Sequence, residues 1–359
     1  MPPATFLLFV SMFAAGEKGG VQAFHLDSKT GEIASRTLTT GVENPFFLAL
    51  SPDHQTLYSI HAKKFGSADN EEVAAYRILN HEGELKLLNR QSARGSAACF
   101  LDIDSTGHTL LVANYSTGSV ASLPIAADGS LGEVASFCQH TGSSVNASRQ
   151  KEPHAHSIVK SPDNRFAYAA DLGTDRILCY RLDPTTATLT PNDPPFGTSP
   201  AGAGPRHLAF HTNARYLYAI NELTNSVSVF ACDAKTGALS EQQTISTLPP
   251  DFTGTSYCAD LKISPDGRFL YGTNRGHDSI AIFRIGDDAQ LTNVQIVPSR
   301  GKGPQNIALT PDGSLLLCAN MPGNNLSLFR VDRSSGTLQP IGEPTAIPSP
   351  ACIVLVPVK

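Results

Sequence analysis

Apolar and polar positions alternate along this chain in short runs, as in Arg206-His207-Leu208-Ala209-Phe210 and Ala259-Asp260-Leu261-Lys262-Ile263. No stretch carries the three-to-four spacing of a long amphipathic helix, so the pattern predicts strands throughout. After each alternating run comes a turn, clearest in Ser264-Pro265-Asp266-Gly267 and Thr310-Pro311-Asp312-Gly313. Pro presets its own φ, Asp caps the turn and Gly accepts a positive φ. A more continuously apolar run follows (Phe166-Ala167-Tyr168, Phe269-Leu270-Tyr271), then a β-branched and aromatic one such as Ser279-Ile280-Ala281-Ile282-Phe283. A Gly-x-Leu-like turn then leads into a polar fourth run. This turn recurs at Gly31, Gly83, Gly129, Ala187, Gly237, Ala289 and Gly336, at intervals between 46 and 58 residues. Four antiparallel strands repeated about every 50 residues predict propeller blades.

The two ends carry partial repeats. Ala351–Val356 reads as an innermost strand with nothing after it, and Phe6–Val10 as a second strand with nothing before it. Joined, they complete a seventh blade. The expected fold is therefore an all-β, seven-bladed β-propeller occupying residues 1–359 as one domain, with N-terminal strands and the C-terminal strand closing one blade.

Composition narrows the partners. A net charge of −5 without basic runs argues against nucleic acid. No segment reaches the length of a membrane span. Phe6–Ala15 lacks a positively charged preceding region and is needed to close the ring, so it reads as structure and not as a signal peptide. The seven cysteines are odd in number, scattered and without metal-type spacing; a reducing, cytoplasmic location is expected. Trp is absent, and with it the Trp-Asp signature of scaffold propellers. No cofactor is implied, and the oligomeric state is left open.

In a propeller the start of a blade's first strand and the end of its second lie on one face. Starts of first strands carry His154 and His156, Arg206, and Gln305. Ends of second strands carry His61, Asn114, Asp171, Asn221-Glu222, Asn274-Arg275 and Asn320. Converging on one mouth, these form a concave polar site. His156, Glu222, Arg206 and Arg275 are the expected catalytic group; His154, Asp171, Asn221, Asn274, Gln305 and Asn320 are expected to contact substrate. The plainer reading stands beside this one: an Asn ending a strand often only closes a turn, a histidine can simply bond a blade edge, and the arginines can serve inter-blade salt bridges. A third metal ligand at recognisable spacing is missing, so no metal site is expected.

Arg149-Gln150 through Pro153-His154-Ala155-His156-Ser157, and the runs Asp171-Leu172-Gly173-Thr174-Asp175-Arg176, Gly204-Pro205-Arg206-His207, Asn221-Glu222-Leu223 and Asn274-Arg275-Gly276, resemble the lactonase family of seven-bladed propellers. That family includes the bacterial propeller-type 6-phosphogluconolactonase and the fungal carboxy-cis,cis-muconate lactonizing enzyme. The resemblance spans all seven blades and is most specific in blades three to five. It implies a site built of a histidine, two arginines and a glutamate, which map to His156, Arg206, Arg275 and Glu222. Two departures stand near the mouth: Pro304-Gln305 where Pro-Arg is frequent, and Val10-Ser11-Met12-Phe13 where a Gly-Thr-Tyr type of sequence is usual.

The resemblance implies a hydrolase of carbohydrate metabolism, a 6-phosphogluconolactonase-like enzyme opening an anionic sugar lactone. His156 or Glu222 would act as general base, with the arginines holding a phosphate or carboxylate. A cycloisomerase closing a carboxymuconate-type acid, and a non-catalytic propeller binding a ligand or protein, are the alternatives.

Overall fold

Twenty-eight strands make up seven four-stranded antiparallel sheets in the computed structural model, which describes residues 5–67 and 71–358. Blades are numbered here by their innermost strands: Leu48–Leu50, Ala98–Ile103, Ala155–Lys160, Pro205–Phe210, Tyr257–Ile263 and Pro304–Leu309 for blades one to six. Blade seven is composite. The last strand, Pro350–Pro357, pairs antiparallel with Thr5–Met12, which leads into Gly20–Asp27 and Ile33–Thr40. The segment Phe6–Val10 is thus a buried strand of the closing blade, as expected.

Both faces of every blade are covered by neighbouring blades, so the second strands are buried along almost their whole length. Period-two alternation then sends successive side chains to opposite neighbours. In blade five, Leu270 packs with Tyr218, Ile220 and Val229 of blade four. Phe269 and Tyr271 pack instead with Ile307, Leu316 and Phe329 of blade six. This two-sided burial is why these strands read as unbroken apolar runs.

The Gly-x-Leu-like turn has a second duty. Its first residue has a left-handed backbone in all seven repeats, with φ from +53° at Ala187 to +84° at Gly129. A Cβ at Gly336 would sit 2.2 Å from the Phe269 ring, and one at Gly83 would sit 2.4 Å from Cβ of Ala23. Glycine therefore serves both the φ and the close approach of the preceding blade. Four times a second-strand tyrosine donates its hydroxyl proton to the turn carbonyl of the next blade. The pairs are Tyr58 to Gly129 (2.9 Å), Tyr168 to Gly237 (3.1 Å), Tyr218 to Ala289 (2.8 Å) and Tyr271 to Gly336 (3.1 Å).

These bonds lie in buried surroundings, so losing the donor leaves a carbonyl unsatisfied. Tyr271→Phe is expected to cost about 1–2 kcal/mol of unfolding free energy in urea titration while leaving the fold unchanged.

Candidate active site

One backbone irregularity, repeated around the ring, builds the mouth. In blades two, three, four and six the innermost strand carries one residue more than its partner near its start. The extra residues are Cys99, His156, Arg206 and Gln305. In blade five the register skips two residues, Ala259 and Asp260, against Thr273 alone. A bulge of this kind re-aims the side chain it carries. Residues directly after the second strands supply the other half: Tyr115 after Asn114, Glu222 after Asn221, and Arg275 closing Phe269–Arg275 after Asn274.

Together they line a cavity of about 260 Å³ whose walls are Phe46, Phe65, Ala97, Cys99, Tyr115, Arg149, His156, Arg206, Glu222 and Arg275. Glu222 is its centre. Oε2 accepts from Arg206 Nε at 2.9 Å and lies 2.9 Å from Arg275 Nη2. Oε1 accepts from Arg149 Nη2 at 2.7 Å, and the same Nη2 reaches the Tyr115 hydroxyl at 3.1 Å. His156 Nε2 stands 4.0 Å from Glu222 Oε2. Its Nδ1 side faces the blade wall, 3.6 Å from Cys99 Sγ. Phe46 and Phe65, stacked at 5.1 Å, supply the aromatic part of the lining.

The electrostatics follow from this geometry. Burial alone would raise the Glu222 carboxyl, but Arg275, Arg206 and Arg149 overcome it and hold the group down at about 2. Glu222 is therefore an ionised counter-ion and a poor base. Burial, then Arg206, pushes His156 well below the ordinary imidazole range, so the ring is neutral at pH 7. Among the side chains that line the cavity, three guanidinium groups stand against one carboxylate, an excess of two positive charges.

The structure brings together His156, Arg206, Glu222 and Arg275, the four residues expected as the catalytic group. Of the expected substrate contacts, Gln305 lies just behind the mouth, its Oε1 accepting from Arg275 Nη1 at 3.4 Å. His154 stacks on the Tyr115 ring at 4.5 Å and bonds the Tyr115 carbonyl, so it supports the wall from behind.

The remaining four expectations are corrected. Asp171, Asn221, Asn274 and Asn320 are fully buried and spend their side chains inside the blades. Asn274 and Asn320 donate to the carbonyls of Thr247 and Ser299, which precede the innermost strands, and Asn221 donates to Ser226 and Ser228. Asp171 accepts from the backbone of His154 and Thr174 and contacts His140 Nδ1 at 2.6 Å. They pin the strand ends from which the bulges start.

Arg149, Tyr115, Cys99, Phe46 and Phe65 were not anticipated as site residues. Two signals in the chain point to three of them. Tyr115 holds the same repeat position as Glu222 and Arg275, and Cys99 the same as His156 and Arg206. Arg149 sits in the longest interval between repeat turns, Gly129 to Ala187, where an added loop was bound to go somewhere.

Comparison with known proteins agrees with the fold. The family described as "Lactonase, 7-bladed beta-propeller" matches residues 7–355. The 6-phosphogluconolactonase of Bacillus subtilis is 33% identical over 350 residues, 97% of each chain. A periplasmic gluconolactonase of Pseudomonas aeruginosa superposes with a TM-score of 0.91 at 32% identity, covering 98% of this chain and 99% of that one. A putative 6-phosphogluconolactonase from Bacteroides fragilis superposes at 0.90 with 31% identity and 98% coverage of both. Among the described residues no helix is long and apolar enough to cross a membrane.

Asn320→Ala is expected to destabilise the protein by about 1–3 kcal/mol in chemical denaturation, because Ser299, Asn325 and Ser327 each lose the bond that its amide donates. KM should stay unchanged, since the side chain does not reach the cavity.

The charged centre also sets a pH dependence. His207, beside Arg206, is held down to about 4 by burial and by that arginine, and His156 also lies well below its ordinary 6.5. Between pH 6.5 and about 4 the unfolded chain binds protons that the native state refuses, so stability falls as pH drops. Glu222, depressed from 4.5 to about 2, extends the loss below pH 4.5. Each such proton contributes a slope of about 1.4 kcal/mol per pH unit, and urea midpoints from pH 8 to 4 should decline only below about 6.5.

Proposed function

The chain belongs to the seven-bladed β-propeller lactonase family, and we propose that it hydrolyses the ring ester of a phosphorylated sugar lactone, as a 6-phosphogluconolactonase. The observation that carries this reading is the triple grip of Arg149, Arg206 and Arg275 on Glu222. It leaves two positive charges facing a small cavity, and a phosphate dianion supplies the matching two negative ones. The similarity to the Bacillus subtilis 6-phosphogluconolactonase supports the same choice.

Arg149 and Arg275 are both about 30% exposed, and the Tyr115 hydroxyl lies beside the first of them. These groups receive the phosphate. The apolar face of the lactone ring lies against Phe46 and Phe65. His156 is the base, because it is neutral at pH 7 whereas Glu222 is ionised and three-fold bonded. A water attacks the lactone carbonyl carbon and loses a proton to His156 Nε2. The imidazolium so formed faces Glu222 Oε2, and a bound dianion favours it further. Arg206, with Nε and Nη1 already engaged, offers Nη2 to the developing oxyanion. When the ring C–O bond breaks, the departing ring oxygen takes the proton back from His156, releasing the open acid. The free cysteines, most of them buried, support a cytoplasmic location.

Turnover of freshly generated 6-phosphoglucono-δ-lactone should exceed spontaneous hydrolysis. His156→Ala and Arg275→Ala should each lose about 10²–10⁴-fold in kcat/KM, with small changes in melting temperature. Equal kcat/KM on the phosphorylated lactone and on glucono-δ-lactone would remove the phosphate from the reading. Absence of any lactone turnover would remove the reading itself.

A further inference from the structure

Behind the cavity, in the central channel, lies a buried pair that the mechanism above does not use. His207 follows Arg206 on the first strand of blade four, and Asp260 occupies the irregular start of blade five. Both are almost completely buried. Asp260 Oδ1 receives His207 Nδ1 at 2.9 Å, Leu261 N at 2.9 Å and Lys262 Nζ at 2.9 Å. Its Oδ2 receives Lys262 Nζ at 2.8 Å, Asn306 Nδ2 at 2.7 Å and Ile307 N at 3.1 Å. Apart from the ring nitrogen of His207, every one of these groups can only donate. Asp260 is therefore a carboxylate that only accepts, and His207 must carry its proton on Nδ1.

The other ring nitrogen then presents a lone pair. It lies 3.1 Å from Arg206 Nη1, which can only donate. Arg206 Nη1 also donates to the carbonyl of Ala259, and Nε to Glu222. Acceptors on two edges fix the guanidinium plane, and among the described residues Nη2 is the nitrogen left without a protein hydrogen bond. A ring with its proton on Nε2 would set two donors against each other and push the guanidinium away.

We infer that Asp260 and His207 are positioning residues: Asp260 sets the tautomer of His207, and His207 aims Arg206 at the substrate. The inference rests on the lactonase reading for what Arg206 does, and on geometry alone for the tautomer. A purely structural bond between blades is the competing account, and the two make opposite demands on position 207. Asn places its amide where Nδ1 stands, keeping the donor to Asp260 and losing the acceptor for Arg206. Gln places its amide where Nε2 stands, keeping the acceptor and losing the bond to Asp260.

The experiment compares His207→Gln and His207→Asn for kcat/KM on 6-phosphoglucono-δ-lactone and for melting temperature, with ring-nitrogen NMR of wild-type His207 alongside. The expected result is Gln within about 5-fold of wild type and Asn down by about 10²-fold, as for a misaimed catalytic group. The wild-type ring should show the proton on Nδ1. Equal losses in both variants, or Asn more active than Gln, overturn the inference. So does a wild-type ring protonated on Nε2. If the wild type turns over no lactone, the lactonase reading falls and the aiming of Arg206 at substrate falls with it, while the ring tautomer still decides whether Asp260 sets His207.

Discussion

Closure of the ring is the constraint on which the rest of this molecule depends. Each blade buries its two faces only against its neighbours, so an open ring would expose two complete apolar faces to water. The last strand, Pro350–Pro357, prevents this by pairing with Thr5–Met12, at the far end of the sequence. Once the circle is closed, the innermost strands stand at fixed distances around one channel. Only then can Glu222 of blade four touch Arg275 of blade five and Arg149 of the link into blade three at the same time.

That contact set opposes stability as much as it serves chemistry. Three guanidinium groups repel one another, and burial lowers even Arg206, to about 10. Burial, with Arg206 adding to it, keeps His156 and His207 neutral. Left in a flexible loop, such a cluster would spread apart until water screened it. Here each bulged residue is flanked along its strand by residues paired to the second strand, and Asn221, Asn274 and Asn320 fasten the strand ends behind them. The protein tolerates uncompensated charge at the mouth because the backbone that carries these residues is tied down by strand pairing and by these side-chain bonds. Gln305, an uncharged residue at its bulge position, adds no further positive charge to this group and accepts a bond from Arg275.

Much of this was legible before any coordinates. The architecture follows from counting turns, because a Gly or Ala with a left-handed backbone is needed at one point of every blade and little else fits there. The closing blade follows from the same count, since partial repeats at both ends must find each other. The four central residues His156, Arg206, Glu222 and Arg275 follow from a rule about faces, with the family resemblance choosing the same positions. The same rule went too far at Asp171, Asn221, Asn274 and Asn320. It locates a position along a strand but is silent on which way a side chain turns, and one residue of register separates an inward-bonded Asn from the charged residue that follows it.

What the sequence by itself determined is the repeat, the number of blades and the set of polar residues brought to one mouth, because these depend on spacing alone. Only the tertiary structure decided which of those residues meet. The bulges at Cys99, His156, Arg206 and Gln305 leave no separate mark on the sequence, since one unpaired residue looks like any other in a strand. Arg149 arrives from a loop whose path is set by packing and not by periodicity. The division between a neutral His156 and an ionised Glu222 is likewise a property of distances, for it depends on how many guanidinium groups lie within hydrogen-bonding reach of one carboxylate.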